Sequence, residues 1–322
     1  MGVKLKSIIE HESITFKKLE GKSIAIDAFN TLYQFLSVIR QRDGTPLMDE
    51  EGNTTSHLSG ILYRNSSMIE KGIKPIYIFD GKPPELKSET IEERREIRRE
   101  SEKKWKEALE RGDETEAKKY AMRSSKLSDY IIDSSKKLLT LMGIPYVEAY
   151  GEGEAQASYM VKQGDAWAVS SQDYDCLLFG ADRVVRNLAI NSNLGNLEIL
   201  NLKKILDELG VTQKELVEMG IVIGTDFDPG LNRVGGLTAL KYAKKGVLGE
   251  KVKEVKNYKE IEEIFLNPKV NKDYNIEWKK PKKDEIIDFL CNEHGFSHSR
   301  VSNAVDKLEN LNLNQKSLDQ WF

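Results

Sequence analysis

The sequence predicts an α/β fold with a mostly parallel central sheet flanked by helices. Five short β-rich runs, each followed by a helical pattern, lie at residues 23–26, 75–79, 145–148, 167–170 and 184–188. Such alternation indicates βαβ units, in which consecutive strands run parallel. A chain of 322 residues is long enough for one large α/β domain or two small ones.

Charge and cysteine content narrow the class of protein. The net charge is only -3, with 49 basic and 52 acidic residues, so a nucleic-acid partner would be held by local basic patches. Cys176 and Cys291 give no disulfide framework and suit a reducing cytosol. The apolar runs are shorter than the roughly 20 residues of a membrane span. We therefore expect a cytoplasmic protein that does not use a membrane.

A charged segment at residues 85–128 separates the second and third β-rich runs. It has helical propensity and too little apolar surface to form a core. At ~100° per residue, one arc of the helix carries the arginines and the neighbouring arc carries glutamates; the arginines are Arg94, Arg95, Arg98 and Arg99. A solvated helix with i,i+4 ion pairs would show many of these charges. Because the arginines are segregated from the glutamates in one basic stripe, the pattern favours a helix surface that faces phosphates.

The C-terminal part is predicted to be helical. Residues 205–245 read as helix, Gly-rich turn and helix, with GTDFDPGLNRVGG between the apolar segments. Further helices are expected near 258–265 and 283–294, separated by an exposed loop at 266–283.

Acidic residues follow four of the predicted strands. They are Asp27, Asp80, Glu152, Glu154, Asp173 and Asp175. In an open α/β sheet the carboxyl ends of the strands form one edge, where ligands bind. One such Asp alone often caps the next helix. Six together must either raise their own pKa values or hold cations.

A carboxylate cluster of this kind suits hard cations. All-oxygen ligands select Mg²⁺ or Mn²⁺. Asp226, in GTDFD, adds a seventh acid. Two ions roughly 4 Å apart can activate a water and neutralise charge in phosphodiester cleavage. The sequence therefore predicts a metal-dependent nuclease.

Other catalytic classes have little support in the sequence. There is no Walker A motif and no dinucleotide-binding Gly-rich loop. The four histidines are too scattered for a His-based catalytic site. Cys291, His294 and His298 cluster, but a fourth ligand is missing and the spacing is not that of a zinc site.

The chain resembles the archaeal and eukaryotic flap endonucleases of the XPG-type 5′ nuclease superfamily over nearly its full length. The resemblance is carried, in order, by IAIDAFNTLYQFL, GIKPIYIFDGKPPELK, LLTLMGIPYVEAYGEGEAQASYM, SSQDYDCLLFG, VVRNL and GTDFD. It implies two Mg²⁺ per subunit, with Mn²⁺ able to substitute. The implied ligands are Asp27, Asp80, Glu152, Glu154, Asp173, Asp175 and Asp226.

The resemblance also implies roles for other residues. Lys87 and Arg94 would reach the scissile phosphate, and Tyr33 would stack on a base next to the cut. The alternatives are surface ion pairs for the two cations and a core position for Tyr33. Residues 82–128 would form a helical arch for the single-stranded 5′ arm, mobile until a polyanion orders it. Further DNA contacts are expected from Arg40, Arg42, Arg95, Arg98, Arg123, Lys126, Arg233, Gly235, Gly236 and Lys241.

The Gly-rich turn departs from the family pattern. It corresponds to the helix-turn-helix element that grips duplex backbone, where the family reads G-V-[KR]-G-I-G-P-K. This chain has GLNRVGGLTAL, one residue shorter. Gly235, Gly236, Arg233 and Lys241 are still expected to serve the phosphates, because glycines let amides approach them closely.

The last residues, QKSLDQWF, match the box with which such enzymes bind the sliding clamp (PCNA). Gln315, Leu318, Trp321 and Phe322 supply its pattern, with the aromatics as the main source of interface energy. The alternative is a tail that folds back on its own domain.

The sequence thus indicates a 5′ flap endonuclease with 5′ to 3′ exonuclease activity, leaving a 5′-phosphate and a 3′-hydroxyl. Its expected substrate is branched DNA with a 5′ flap, cut during Okazaki fragment maturation and base excision repair. The enzyme is expected to be a monomer in the archaeal cytoplasm, associated with the nucleoid. Expected regions are 1–99, with the arch at about 82–128; 117–258, forming one globular unit with the first; a helical part at 259–306; and a tail at 307–322.

Two alternatives stay open. One is a sibling nuclease that prefers gaps or bubbles; the other is a catalytically silent DNA-binding or clamp-associated protein.

Overall fold

The computed structural model of the chain describes residues 3–188 and 197–308. Within them lies a seven-stranded sheet of order β1-β7-β6-β5-β2-β3-β4. The strands are β1 (Glu12–Ile14), β2 (Ser23–Asp27), β3 (Lys74–Phe79), β4 (Tyr146–Glu148), β5 (Ala168–Ser170), β6 (Arg183–Arg186) and β7 (Leu197–Asn201).

The sheet is mostly parallel, as the sequence predicts. β2 pairs in parallel with β3 and β5, β4 with β3, and β6 with β5. β7 runs antiparallel to β6, and β1 runs antiparallel to β7. The sequence pattern did not predict β1 or β7. β1 has only three residues and no fully buried side chain, so it lacks the apolar run that marks a core strand.

Helices cover both faces of the sheet. They are α1 (Ala28–Val38), α2 (Ser56–Glu70), α3 (Ser88–Glu110), α4 (Glu114–Arg123), α5 (Asp129–Leu141), α6 (Gly153–Gln163), α7 (Asp175–Leu178), α8 (Leu202–Leu209), α9 (Gln213–Ile223), α10 (Gly236–Lys244), α11 (Leu248–Lys251), α12 (Tyr258–Leu266), α13 (Lys283–Ile287) and α14 (His298–Leu308). None of the helices in the described ranges is long and apolar enough to cross a membrane.

Two hydrophobic clusters, one on each face, hold the layers together. The side chains of β2 alternate between them: Ala25 joins one cluster, while Ile24 and Ile26 join the other. Burial on both faces is typical of parallel strands with helices on either side. β2 thus has parallel neighbours on both edges and helical layers on both faces, which fixes the position of its carboxyl end.

The charged segment forms an antiparallel pair of helices, α3 and α4, here called the arch hairpin. Its helical character is as predicted, and no described residue of α3 or α4 belongs to either hydrophobic cluster, as expected of a segment with too little apolar surface to form a core, although the hairpin does bury small side chains. Ala108, Ala117 and Ala121 are fully buried there. A Cβ added at Gly44 would lie 2.9 Å from the Ala121 Cβ, so the loop after α1 packs tightly against α4. Small side chains give close contact without a conspicuous apolar run.

The C-terminal part also follows the prediction, with one correction. α9 and α10 flank the Gly-rich turn, α12 covers the predicted helix at 258–265, and α13 continues into a wide π-helical turn at Asp288–Glu293. The loop between α12 and α13 is not simply exposed. Trp278 Nε1 donates to the Pro75 carbonyl at 3.0 Å, and the amide of Gln156 pairs with the Asn271 backbone. These hydrogen bonds attach the loop, and through it the C-terminal part, to β3 of the sheet and to α6.

Candidate metal and nucleic-acid site

A cavity of about 520 Å³ opens at the carboxyl end of β2. The chain runs from β2 to its neighbour β3 on one side, and it later crosses from β4 to β5, the neighbour of β2 on the other side. Such a switch point is where open α/β sheets bind ligands. Six of the seven predicted acids line it: Asp27, Asp80, Glu152, Glu154, Asp173 and Asp226. Lys87, Arg94, Arg98 and Tyr33 share the same lining. Asp175, the seventh acid, is buried near them.

Asp27 and Asp80 follow neighbouring strands. Asp27 ends β2 and accepts a hydrogen bond from the Asn30 amide at 3.0 Å, so it caps α1 as well as lining the cavity. Asp80 follows β3 and accepts from the Gly153 amide at 2.5 Å. A Cβ on Gly153 would lie 2.4 Å from Asp80 Oδ1, so glycine permits this close approach. The contact ties the start of α6 to β3.

Glu152 and Glu154 lie at the start of α6. Glu152 forms an ion pair with Lys87, which sits at the start of the arch hairpin. Glu154 Oε1 accepts a hydrogen bond from Ser171 Oγ at 2.7 Å and lies 3.6 Å from Cys176 Sγ. The two glutamates therefore face different partners.

Asp175 and Asp226 have contrasting partners. Asp175 opens α7 and accepts from the Val3 amide at 2.7 Å. Asp226 follows α9, and Arg94 Nη2 donates to both of its carboxylate oxygens at 2.7 Å. Thr90 Oγ1 donates to the Asp226 carbonyl at 2.8 Å. The first turns of α3 are thus fixed to the residue that precedes the Gly-rich turn.

Burial, and then the charges of neighbouring acids, raise the pKa values of several of these groups. The pKa is about 6 for Asp27, about 7 for Asp175 and about 8 for Asp80, and the pKa of Glu154 is raised well above its usual value. Asp226 differs: burial opposes its ionisation, but Lys87 and Arg94 outweigh burial and lower its pKa. The cluster carries more negative charge than its own cations balance.

The cavity residues fit hard divalent cations. Every acid of the cavity offers oxygen, the donor that Mg²⁺ prefers, and the raised pKa values indicate that added positive charge would stabilise the cluster. Among the described residues, no three His, Cys, Asp or Glu side chains already stand in an arrangement that holds an ion. The Lys87 ammonium lies between Glu152 and Asp226 instead, 3.4 Å from Asp226 Oδ2.

The basic residues of the predicted stripe separate in the structure. Arg94 and Arg98 line the cavity, and Arg98 Nη1 donates to the Tyr33 hydroxyl at 2.6 Å. Arg95 is 68% exposed and pairs with Glu92. Arg40 donates to Leu36, Gly44 and Ser125, so its guanidinium joins α1 to the end of the arch hairpin.

The remaining predicted contact residues lie on the surface. Arg42, Arg123, Lys126, Arg233, Gly235 and Lys241 are exposed, whereas Gly236 is buried. Lys126 pairs with Glu102. Arg233 has a φ of 61°, a left-handed conformation that L side chains rarely adopt. The predicted clamp box, Gln315, Leu318, Trp321 and Phe322, lies outside the described residues.

Sequence reasoning missed several polar neighbours of the acids. Ser171, Cys176 and Thr90 all contact cavity acids. Ser171 stands two residues before Asp173, which is a weak local signal, because Ser often bonds to a backbone amide two residues on. The contact to Glu154 crosses from one strand end to another and has no sequence signature. His294, considered with Cys291 for zinc, instead bonds to Asp49 at 2.8 Å.

The metal-free protein is expected to become more stable as the pH falls from about 8 to about 6. Asp80 and Asp175 have raised pKa values when folded, so the folded state takes up protons in this range while the unfolded state does not. Each such proton contributes up to ~1.4 kcal/mol per pH unit. Melting temperatures in chelator across this range measure the effect.

Two controls sharpen this test. Asp80→Asn should weaken the pH dependence, and saturating Mg²⁺ should remove it, because bound cations keep the acids ionised. A melting temperature in chelator that stays flat or falls on acidification would contradict the account.

Comparison with known proteins gives consistent matches. The chain matches the XPG N-terminal domain over residues 1–101 and the XPG I-region over residues 143–226. It is 69% identical to flap endonuclease 1 of Methanobrevibacter smithii, over 100% of both chains. It resembles the solved structure of flap endonuclease-1 from Methanococcus jannaschii with a TM-score of 0.80 and 45% identity, covering 96% of this chain and 98% of that one. The catalytic core of Rad2 in complex with DNA substrate shares the fold, with a TM-score of 0.72 and 23% identity over 95% of this chain and 100% of that one.

Proposed function

The chain belongs to the flap endonucleases of the XPG family, and we propose that its acidic cavity hydrolyses a DNA phosphodiester at the base of a 5′ flap with the help of two Mg²⁺, which Mn²⁺ can replace. The activity includes 5′ to 3′ exonuclease action and serves Okazaki fragment maturation and base excision repair. One observation carries this proposal: acids from separate strand ends line the same cavity as the side chains of Lys87 and Arg94.

The acids and the cations have different tasks in this proposal. The seven acids would hold the ions, as direct ligands or through waters. Ions held there would supply a water of lowered pKa and positive charge beside the attacked phosphate. Lys87 and Arg94 contact Glu152 and Asp226 in the free protein, so they already stand at the site where a phosphate would bind. Pre-placed cations of this kind stabilise transition-state charge.

The arch hairpin supports a flap as the substrate. Its first turns line the cavity through Ile91, Arg94 and Arg98. Its far end joins α1, where Ser37 Oγ donates to the Met122 carbonyl at 3.1 Å. The hairpin is therefore fixed at the cavity by the start of α3 and joined to α1 by the end of α4, and the half-buried Tyr33 of α1 offers a ring for a base in the cavity. We propose that the single-stranded 5′ arm passes beside the hairpin and that continuous duplex does not.

A panel of labelled substrates in Mg²⁺ tests the proposal. A 5′ flap, a bubble and a gapped duplex are compared, and a second flap carries a bulky block at its 5′ end. We expect cutting at the flap junction, a 5′-phosphate on the product and strong inhibition by the block. Preference for the bubble or the gap would favour the sibling nuclease. No cutting of any substrate would favour the silent binding protein.

The Gly-rich turn is proposed to grip the duplex beside the flap. Gly235 has an extended backbone that any residue could adopt, and an added Cβ would meet nothing within 4 Å. Folding therefore gives no reason for a glycine at this exposed position. Close approach of a phosphate to the backbone amides at the start of α10 gives one.

Gly235→Ala should therefore weaken flap binding by about tenfold, roughly 1.4 kcal/mol, without lowering the melting temperature. Binding is measured in Ca²⁺, without cutting. Gly249→Ala is the matched control, because its added Cβ also meets open space but Gly249 belongs to α11 and not to the turn. Equal DNA affinity in both variants would remove the turn from the duplex interface.

The finer assignments complete the proposal. The regions are residues 1–99 with the arch at about 82–128, 117–258 joined with the first in one unit, 259–306, and the tail 307–322.

Residues Gln315, Leu318, Trp321 and Phe322 match a sliding-clamp box, and we assign the clamp (PCNA) as its partner. The enzyme is proposed to act as a monomer in the cytoplasm, associated with the nucleoid. The exposed basic residues Arg42, Arg123, Lys126, Arg233 and Lys241 are proposed to contact phosphates.

A further inference from the structure

Ser171 joins two of the cavity acids from different strand ends. Its hydroxyl donates to Glu154 Oε1 at 2.7 Å and accepts from the Asp173 backbone amide at 3.1 Å. The side chain is 4% exposed, so neither bond competes with bulk water. A serine hydroxyl has one proton to donate. Because Asp173 N–H is the other partner, that proton is directed at the glutamate.

The same glutamate oxygen is approached by a second donor. Cys176 Sγ, fully buried at the start of α7, lies 3.6 Å from Glu154 Oε1. Within the described part of the chain, Glu154 Oε2 has no hydrogen-bond partner, although Glu154 lines the cavity. Protein donors thus engage one oxygen of this carboxylate and leave the other for a cation.

We propose that Ser171 is a positioning residue for the metal site, which holds Glu154 in the orientation that binds a divalent cation and fixes it relative to Asp173. This inference rests on the proposed function and adds to it a residue that touches neither DNA nor ion. Groups that hydrogen-bond to metal ligands orient them and raise their affinity for metal, and losing one typically costs about tenfold to a hundredfold.

Ser171→Ala removes the hydroxyl that donates to Glu154, and the side chain loses only one oxygen atom. Without it, Glu154 loses its orienting bond while all seven acids stay in the chain. Ser171→Thr keeps the hydroxyl. Ser158→Ala is a matched control: Ser158 is fully buried and also bonds to Glu154, but its Oγ donates at 2.6 Å to the backbone carbonyl rather than to the carboxylate.

The test is Mg²⁺ binding in the absence of DNA, followed through the rise in melting temperature during a Mg²⁺ titration of the full chain. Ser171→Ala should raise the half-saturating Mg²⁺ concentration by about tenfold to a hundredfold, whereas Ser171→Thr and Ser158→Ala should stay within about threefold of the wild type. Flap binding in excess Ca²⁺ should be unchanged. If Ser171→Ala does not fold, Ser171→Cys replaces it, with a smaller shift in the same direction because a thiol donates weakly.

The outcomes separate this inference from the proposed function. If the wild type gains no stability from Mg²⁺, the metal site itself is refuted, and the role of Ser171 with it. If the wild type responds and Ser171→Ala responds at the same concentration, only the role of Ser171 is refuted. A shift of equal size in Ser158→Ala would also overturn it, since a general loss of packing would then explain both variants.

Discussion

Replacing Asp175 by asparagine is expected to lower the rate of flap cleavage by about a thousandfold or more while flap binding is retained. Asp175 is buried beside the other acids and accepts a hydrogen bond from the Val3 amide. Asparagine keeps the shape and can keep that bond, but it removes a negative charge that the cations need. Loss of ~4 kcal/mol of transition-state stabilisation corresponds to this factor.

The measurement is single-turnover cleavage of a labelled flap, with binding followed separately in Ca²⁺. Asp207→Asn, at an exposed position on α8, is the control and should cut like the wild type. Asp175→Asn should also melt at the wild-type temperature or above in chelator, because the buried acid has a raised pKa and its charge is unfavourable there. Cutting at the wild-type rate would remove Asp175 from the catalytic machinery.

Replacing Lys87 by methionine is expected to lower the cleavage rate by about a hundredfold to a thousandfold. Burial opposes the charge of Lys87, but Glu152 and Asp226 outweigh it and raise the lysine pKa, so the ammonium stays charged at any working pH. Removing one pre-placed group that stabilises transition-state charge typically has an effect of this size. Methionine keeps most of the side-chain volume, so packing changes little.

A second measurement shows whether Lys87 acts in cleavage or only balances charge in the free protein. Without Lys87, the carboxylate of Glu152 loses its ion pair, so the metal-free variant should melt at a lower temperature than the wild type at neutral pH. Mg²⁺ should recover much of that stability but not the cleavage rate. Lys203→Met, exposed on α8, is the control. Recovery of both stability and rate in Mg²⁺ would show that Lys87 only balances charge in the free protein.

The acidic cavity was predictable from sequence because six of its seven acids stand at the end of a strand or a few residues after it. Asp27 and Asp80 stand at the ends of recognisable β-rich runs, and parallel strands bring their carboxyl ends to one edge. Asp226 was less accessible to such reasoning. It follows the helix α9, so the rule about the carboxyl ends of strands does not cover it.

Other features could not be read from the sequence because they depend on contacts between distant segments. The bond from Val3 to Asp175 spans 172 positions. The bond from Ser171 to Glu154 joins two strand ends, and neither residue shows it in its local pattern. The arch hairpin packs through alanines, which have no strong apolar signal, and β1 is too short and exposed to stand out.

The central claim is that acids from separate strand ends hold divalent cations in one cavity, and Mn²⁺-soaked crystals of the protein test it most directly through anomalous scattering. The account predicts manganese in the cavity lined by Asp27, Glu154 and Asp226, with carboxylate oxygens among its direct ligands. Strong manganese peaks elsewhere on the molecule, with none among these acids, would contradict it.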